Sequence, residues 1–169
     1  MASGTPHYYA EFLEESNQMR AALALVGTLA ISTAMIAATI PSGWKLVADR
    51  PKACQDAVPP DWTLDPIFKG SAQSPDKKAT SSVSSVKQSM QELKQNAEMA
   101  IPVNTVIEDT PKRLWYTYKN TRGGAPDSVN WYVAVPGNPG ITCNAQITFQ
   151  DPAMDATAKQ ILDSLGPVK

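Results

Sequence analysis

With 169 residues, 43% hydrophobic and 18% charged, the chain holds enough apolar material for one folded domain and too little length for two beside an anchor. A net charge of −1 without clustered cations excludes the electrostatic footprint of a nucleic-acid-binding domain. The 14 prolines, several of them between Pro41 and Pro75, argue against regular structure through much of that stretch.

Residues 1–20 read as a helix that precedes a membrane. Thr5 suits the N-cap and Pro6 the first helical position, and Glu11, Glu14 and Glu15 lie toward the positive end of the helix dipole. Tyr9, Phe12, Leu13 and Met19 form a ragged apolar face, suited to an interface or to a docking partner.

Residues 21–41 read as a transmembrane helix. From Ala21 to Ile40 there is no charged side chain and no proline. At 1.5 Å per residue such a run spans about 30 Å, the thickness of a bilayer core. Arg20 closes one end; Pro41, Gly43 and interfacial Trp44 close the other. The length of the run and the acidic residues ahead of it favour a retained signal anchor over a cleaved leader. Ala24, Gly27, Ala30, Ala34 and Ala37 fall near one face, where small residues let another membrane helix approach closely.

Residues 42–78 read as a proline-rich connector. Trp62, Leu64, Ile67 and Phe68 are too apolar for a free linker, so Trp62 and Phe68 are expected to contact the domain or a neighbouring protein.

Residues 79–169 read as an extramembrane α+β domain: an amphipathic helix, a four-stranded antiparallel sheet and a C-terminal helix. Val83, Val86, Met90, Leu93, Ala97 and Ala100 step by three and four, which predicts a helix over 80–100. Strands are predicted near 103–107, 113–119, 129–135 and 141–149. In the last, Cys143, Ala145, Ile147 and Phe149 alternate with Thr142, Asn144, Gln146 and Thr148, the pattern of one buried face. The sequence between 152 and 165 predicts the closing helix, with Asp151 as its cap and Gly166-Pro167 as its stop.

Two signals bear on sidedness. Cys54 and Cys143 are a candidate disulfide, which persists only in an oxidising compartment. Lys45, Arg50 and Lys52 pull the other way, toward a cytoplasmic domain, but a long trailing domain translocates despite local charge. The expectation is a cytoplasmic N-terminus and an extracytoplasmic domain.

The sequence offers little for catalysis. His7, the only histidine, precedes the anchor, so a Ser-His-Asp or Cys-His arrangement within the domain is excluded. No His/Cys cluster has zinc spacing and no glycine pair continues into a phosphate-cradling motif, so no metal, cofactor or small-molecule substrate is expected. The aromatic-rich stretches Leu114 to Tyr118 and Trp131-Tyr132 mark a candidate recognition surface, with Trp115 and Trp131 at its centre. The leading expectation is a non-catalytic single-pass subunit of a multiprotein membrane complex, with other membrane subunits and the lipid bilayer as its partners. The alternative is a tethered binding module that recognises a glycan, peptide or protein through an aromatic sheet surface.

Overall fold

Alternation of small polar and apolar residues decides most of the architecture. The computed structural model describes residues 40–99, 105–118 and 128–169. Strand β1 (Lys45–Ala48) turns back into β2 (Cys54–Val58), and two short strands follow, β3 (Thr63–Leu64) and β4 (Ser71–Gln73). Residues 42–78 therefore carry strands between their prolines. The β1–β2 turn is held by Asp49, whose carboxylate accepts from the backbone N–H groups of Ala53 and Cys54 at 2.8 and 3.1 Å.

The helix predicted over 80–100 is a correction. Ala79–Val86 is strand β5, and only Met90–Glu98 is helical, as α1. Val83 and Val86 satisfy a helical step by accident. The Thr-Ser-Ser-Val-Ser-Ser run alternates with period two, burying Ala79, Ser81 and Val83. The helix begins where a capping box permits it: Ser89 Oγ accepts from Glu92 N, and the Glu92 carboxylate accepts from Ser89 N at 2.7 Å.

Strands β6 (Thr105–Thr110), β7 (Arg113–Thr117), β8 (Val129–Pro136) and β9 (Thr142–Phe149) form the meander. A 3-10 turn at Pro152–Met154, capped by Asp151, leads into α2 (Asp155–Asp163), and β10 (Gly166–Pro167) ends the series. The expected four-stranded sheet is part of a seven-stranded one, ordered β3-β4-β5-β9-β8-β7-β6, beside a three-stranded sheet β1-β2-β10. Every strand pair is antiparallel. The expected α+β arrangement around one four-stranded sheet is corrected: the described domain is mostly β, with two sheets and two helices. The expectation fell short because the proline-rich stretch and β5 were read as connector and helix.

The expected lead-in helix, the span of 21–39 and the packing stripe Ala24, Gly27, Ala30, Ala34 and Ala37 lie outside the described residues. Ile40 and Pro41 are described and are not helical. Among the described residues no helix is long and apolar enough to cross a membrane. The anchor thus remains a reading of the sequence.

The core lies on one face of the large sheet, under the small sheet and α2. Cys143, Ala145, Ile147 and Phe149 of β9 are fully buried there, with Val133 of β8 and Val83 of β5. Val58 comes from the small sheet, and Ala158, Ile161 and Leu162 from α2. One covalent and one polar link join the sheets. The disulfide Cys54–Cys143 ties β2 to β9 across a sequence separation of 89, with Cα atoms 5.4 Å apart. Ser81 Oγ on β5 donates to Asp56 Oδ2 on β2 at 3.1 Å, and Asp56 Oδ1 has no partner among the described residues.

These links generate two predictions. In the chain-entropy model, closing a loop of this length stabilises the fold by roughly 4–5 kcal/mol. The variant Cys54→Ala/Cys143→Ala should therefore lose roughly 10–20 °C of Tm in thermal denaturation; a loss below a few degrees would show that the bond matters little.

Burial raises the Asp56 carboxyl from 3.8 to about 7, against opposing hydrogen bonds led by Ser81. The folded chain then holds this proton more tightly than the unfolded chain. The Asp56 contribution is most favourable below pH ~4, declines by up to about 1.4 kcal/mol per pH unit toward 7, and levels off above that. Asp65, Asp76 and Glu92 are held low, chiefly by hydrogen bonds from Phe68 N–H, the Ser74 hydroxyl and Ser89 N–H, and act in the opposite sense at acid pH. Comparison with Asp56→Asn isolates the buried group: the variant should gain Tm at pH 8 and none at pH 4. Parallel pH profiles for the two proteins would contradict this assignment.

Candidate functional site

The opposite face of the large sheet is divided in two. At the Leu114–Ala134 end of β7 and β8 it is covered by α1, where Leu93 packs on those two residues, with Val86, Met90, Tyr116 and Tyr132 around them. Around Thr80 and Ser82 of β5 and Gln146 and Thr148 of β9 it is open. The same alternation that buries the odd residues of β9 places Gln146 and Thr148 on this second face.

Strand register lines the open face with two rungs. Across successive strands Ser71 pairs with Ser82, Ser82 with Gln146, Gln146 with Tyr132, and Tyr132 with Tyr116. The neighbouring rung runs from Thr63 to Gln73, Thr80, Thr148 and Asn130. It is continued by Tyr118, whose N–H donates to Asn130 O at 3.1 Å. From β4 to β7 are four inter-strand gaps, about 19 Å at the usual strand spacing.

None of these rung residues is an acid or a base in its ordinary state. Burial raises the Tyr116 phenol to about 12, with nearby Tyr118 adding to it. Burial also raises Tyr132, helped by Tyr116, and raises Tyr118 against an opposing hydrogen bond with Thr148. All three phenols therefore stay protonated at ordinary pH. Thr148 Oγ1 donates to Asn130 Oδ1 at 2.8 Å, and Gln146 Nε2 donates to the Tyr118 hydroxyl. The rings of Tyr116 and Tyr132 stack with centroids 4.8 Å apart.

At the β3–β4 end the face deepens into a cleft of about 370 Å³, walled by Leu64, Asp65, Pro66 and Phe68. Asp65 organises this wall. Its Oδ1 accepts from the N–H groups of Ile67 and Phe68 at 2.8 and 2.9 Å, and its N–H donates to Ser71 O at 2.9 Å. Gly70 seats the base of the loop on β5: its φ is +88°, and a Cβ there would lie 2.5 Å from Val83 O. The loop presents Ile67 and Phe68 to solvent, 78% and 68% exposed. Of the residues lining the cleft, Asp65 alone carries a charge.

The structure separates the residues singled out in the sequence. Trp115, 9% exposed, and half-buried Trp131 lie on the core face. Their rings meet edge to face at 5.2 Å, Trp131 meets Phe149 at 5.1 Å, and the Arg113 guanidinium sits 5.1 Å over Trp115. Trp62 is in the same core. Phe68 stands in the open at the cleft, and Cys54 and Cys143 are joined. No group of three or more His, Cys, Asp or Glu residues able to hold a metal occurs among the described residues.

The cleft residues Thr63, Gln73, Thr80 and Ser82 escape the sequence reading because connector and helix were assigned to their segments. The signal that finds them is the alternation of Thr80, Ser82 and Ser84 with Ala79, Ser81 and Val83.

No family model matches the sequence, and no curated protein matches it. Among solved structures the chain is similar to a crystal structure of a protein from Bacteroides thetaiotaomicron VPI-5482, with a TM-score of 0.50 and 17% identity over 75% of this chain. The chain spans about half of that protein, 49% of its length. It is also similar to the solution structure of cyanobacterial PsbP (CyanoP) from Synechocystis sp. PCC 6803, with a TM-score of 0.48, 9% identity, and 73% of this chain and 91% of that one covered. The first likeness is one of fold alone, and the second adds nothing to it.

Proposed function

We propose that this chain is a tethered, non-catalytic binding module that works in an oxidising, extracytoplasmic compartment and captures its target on the open sheet face. The observation that carries this reading is the open face itself, whose two rungs hold no charged residue. Helix α1 covers only its Leu114–Ala134 end, and a loop fixed by Asp65 and Gly70 walls its β3–β4 side. A rigid, partly concave surface with convergent polar groups is where recognition is expected. The buried Cys54–Cys143 bond supports the compartment, and the uncharged run Ala21 to Ile40 supports the tether. The recognition surface differs from the tryptophan-centred one expected from sequence, because the tyrosines and the hydroxyl rungs occupy the open face.

A second reading, the accessory subunit of a membrane complex, is favoured by one observation. Ile67 and Phe68 are adjacent large hydrophobics, 78% and 68% exposed, and their loop is held by the Asp65 carboxylate. An ordered apolar loop docks on a neighbouring subunit with little entropy left to lose.

Photo-crosslinking in intact cells tests the first reading against the second. A crosslinker at Ser82, on the open face, should yield a heavier adduct, while one at exposed Lys159 on α2 should not. Adducts from Phe68 without any from Ser82 would favour the accessory-subunit reading and overturn the first.

A further inference from the structure

We infer that the occupant of the open face is a neutral oligosaccharide, laid across the strands from the Phe68 cleft toward the tyrosines. This rests on the binding-module reading above and names its ligand class. Neither rung holds a lysine or arginine, so a phosphate, sulfate or uronate would lose its hydration without gaining a countercharge. A cationic ligand would meet a single exposed carboxylate, Asp65, and one solvent-screened charge is a weak anchor.

Hydrogen-bonding character narrows the class further. Serine and threonine hydroxyls and glutamine amides each donate and accept, as do the hydroxyls of a sugar. Ser82, Thr80, Gln73 and Gln146 offer such groups at adjoining positions on neighbouring strands. A peptide is less suited. Its backbone groups gain most by pairing with a free strand edge, whereas β4, β5, β9 and β8 are each paired on both sides and the edge strand β3 offers only two residues. A peptide lying flat on this face would have only side chains to satisfy its main chain.

Apolar surface completes the match. The C–H face of a pyranose packs on aromatic rings, and the face has rings at both ends: Phe68 at the cleft wall, and half-buried Tyr118 beside Gln146. A span of about 19 Å suits several linked rings better than a single monosaccharide.

The test is calorimetric titration of the full-length protein in nanodiscs with neutral cello-, malto- and chito-oligosaccharides of two to six units. Oligogalacturonates serve as the charged counterpart, and a Ser/Thr/Gln-rich peptide as the polymer control. Saturable binding to at least one neutral series is expected, tightening with chain length, with oligogalacturonates at least tenfold weaker. Gln146→Ala and Phe68→Ala alter exposed side chains and should preserve Tm while weakening binding about fivefold to tenfold. Tyr132→Ala also touches the packing of α1, so its binding is read only after its Tm.

Saturable binding by the peptide alone, lost in Gln146→Ala, would overturn the sugar assignment and leave the binding module standing. Oligogalacturonates binding as tightly as the neutral series would also overturn it. No saturable binding to any neutral series overturns the sugar assignment, and an absent Ser82 crosslink as well would take the binding-module reading with it.

Discussion

The alternation along β9 is the constraint on which the rest of the structure depends. Cys143, Ala145, Ile147 and Phe149 point into the core with no solvent exposure, while Thr142, Asn144, Gln146 and Thr148 point the other way. Because β9 lies between β5 and β8, its register fixes theirs. A slip of one residue would turn four apolar side chains onto the second face and four polar ones into the core. It would also part Cys143 from Cys54 and break up both polar rungs. One eight-residue pattern therefore sets the core, the cross-link between the sheets and the chemistry of the open face.

The buried face combines a strong constraint with a standing cost. The disulfide joins the two sheets where the loop it closes is long, so it restricts the unfolded chain far more than the folded one. Nearby, Asp56 sits fully buried with a single hydroxyl partner, an arrangement that disfavours its charged form and draws on stability as pH rises. A domain stapled in this way has stability in reserve against such a cost. The open face holds no comparable strain, since its polar groups are exposed or bonded to one another.

Much of the meander was legible in the sequence, because β7, β8 and β9 have clear alternation and turn-forming residues between them. The segment 80–100 misled for a physical reason. Serine and threonine carry little hydrophobic signal, so two valines and the true helix after Ser89 joined into one apparent helical stripe. The connector misled because prolines bar long elements, yet Pro51, Pro59, Pro60, Pro66 and Pro75 all fall between strands of five residues or fewer, or just ahead of β5. Which face was buried could not be read from the aromatic residues alone. Trp115 and Tyr116 are adjacent and equally fit to be core, and the packing of α1 and α2 on opposite faces decides between them. The cleft is the least legible feature, being assembled from strands far apart in the chain.

The central claim is that the two faces of β9 do separate work, one holding the fold and the other, on the proposed reading, meeting a ligand. A substitution scan of residues 142–149 with two readouts, protease resistance for folding and retention of the target captured at Ser82 for recognition, tests it most directly. Cys143, Ala145, Ile147 and Phe149 should fail in folding. Gln146 and Thr148 should fail in recognition while remaining folded, and Thr142 and Asn144, buried at the α1 end, should affect folding alone. Loss of folding at Gln146 and Thr148, or full recognition after both are replaced, would contradict the division of labour.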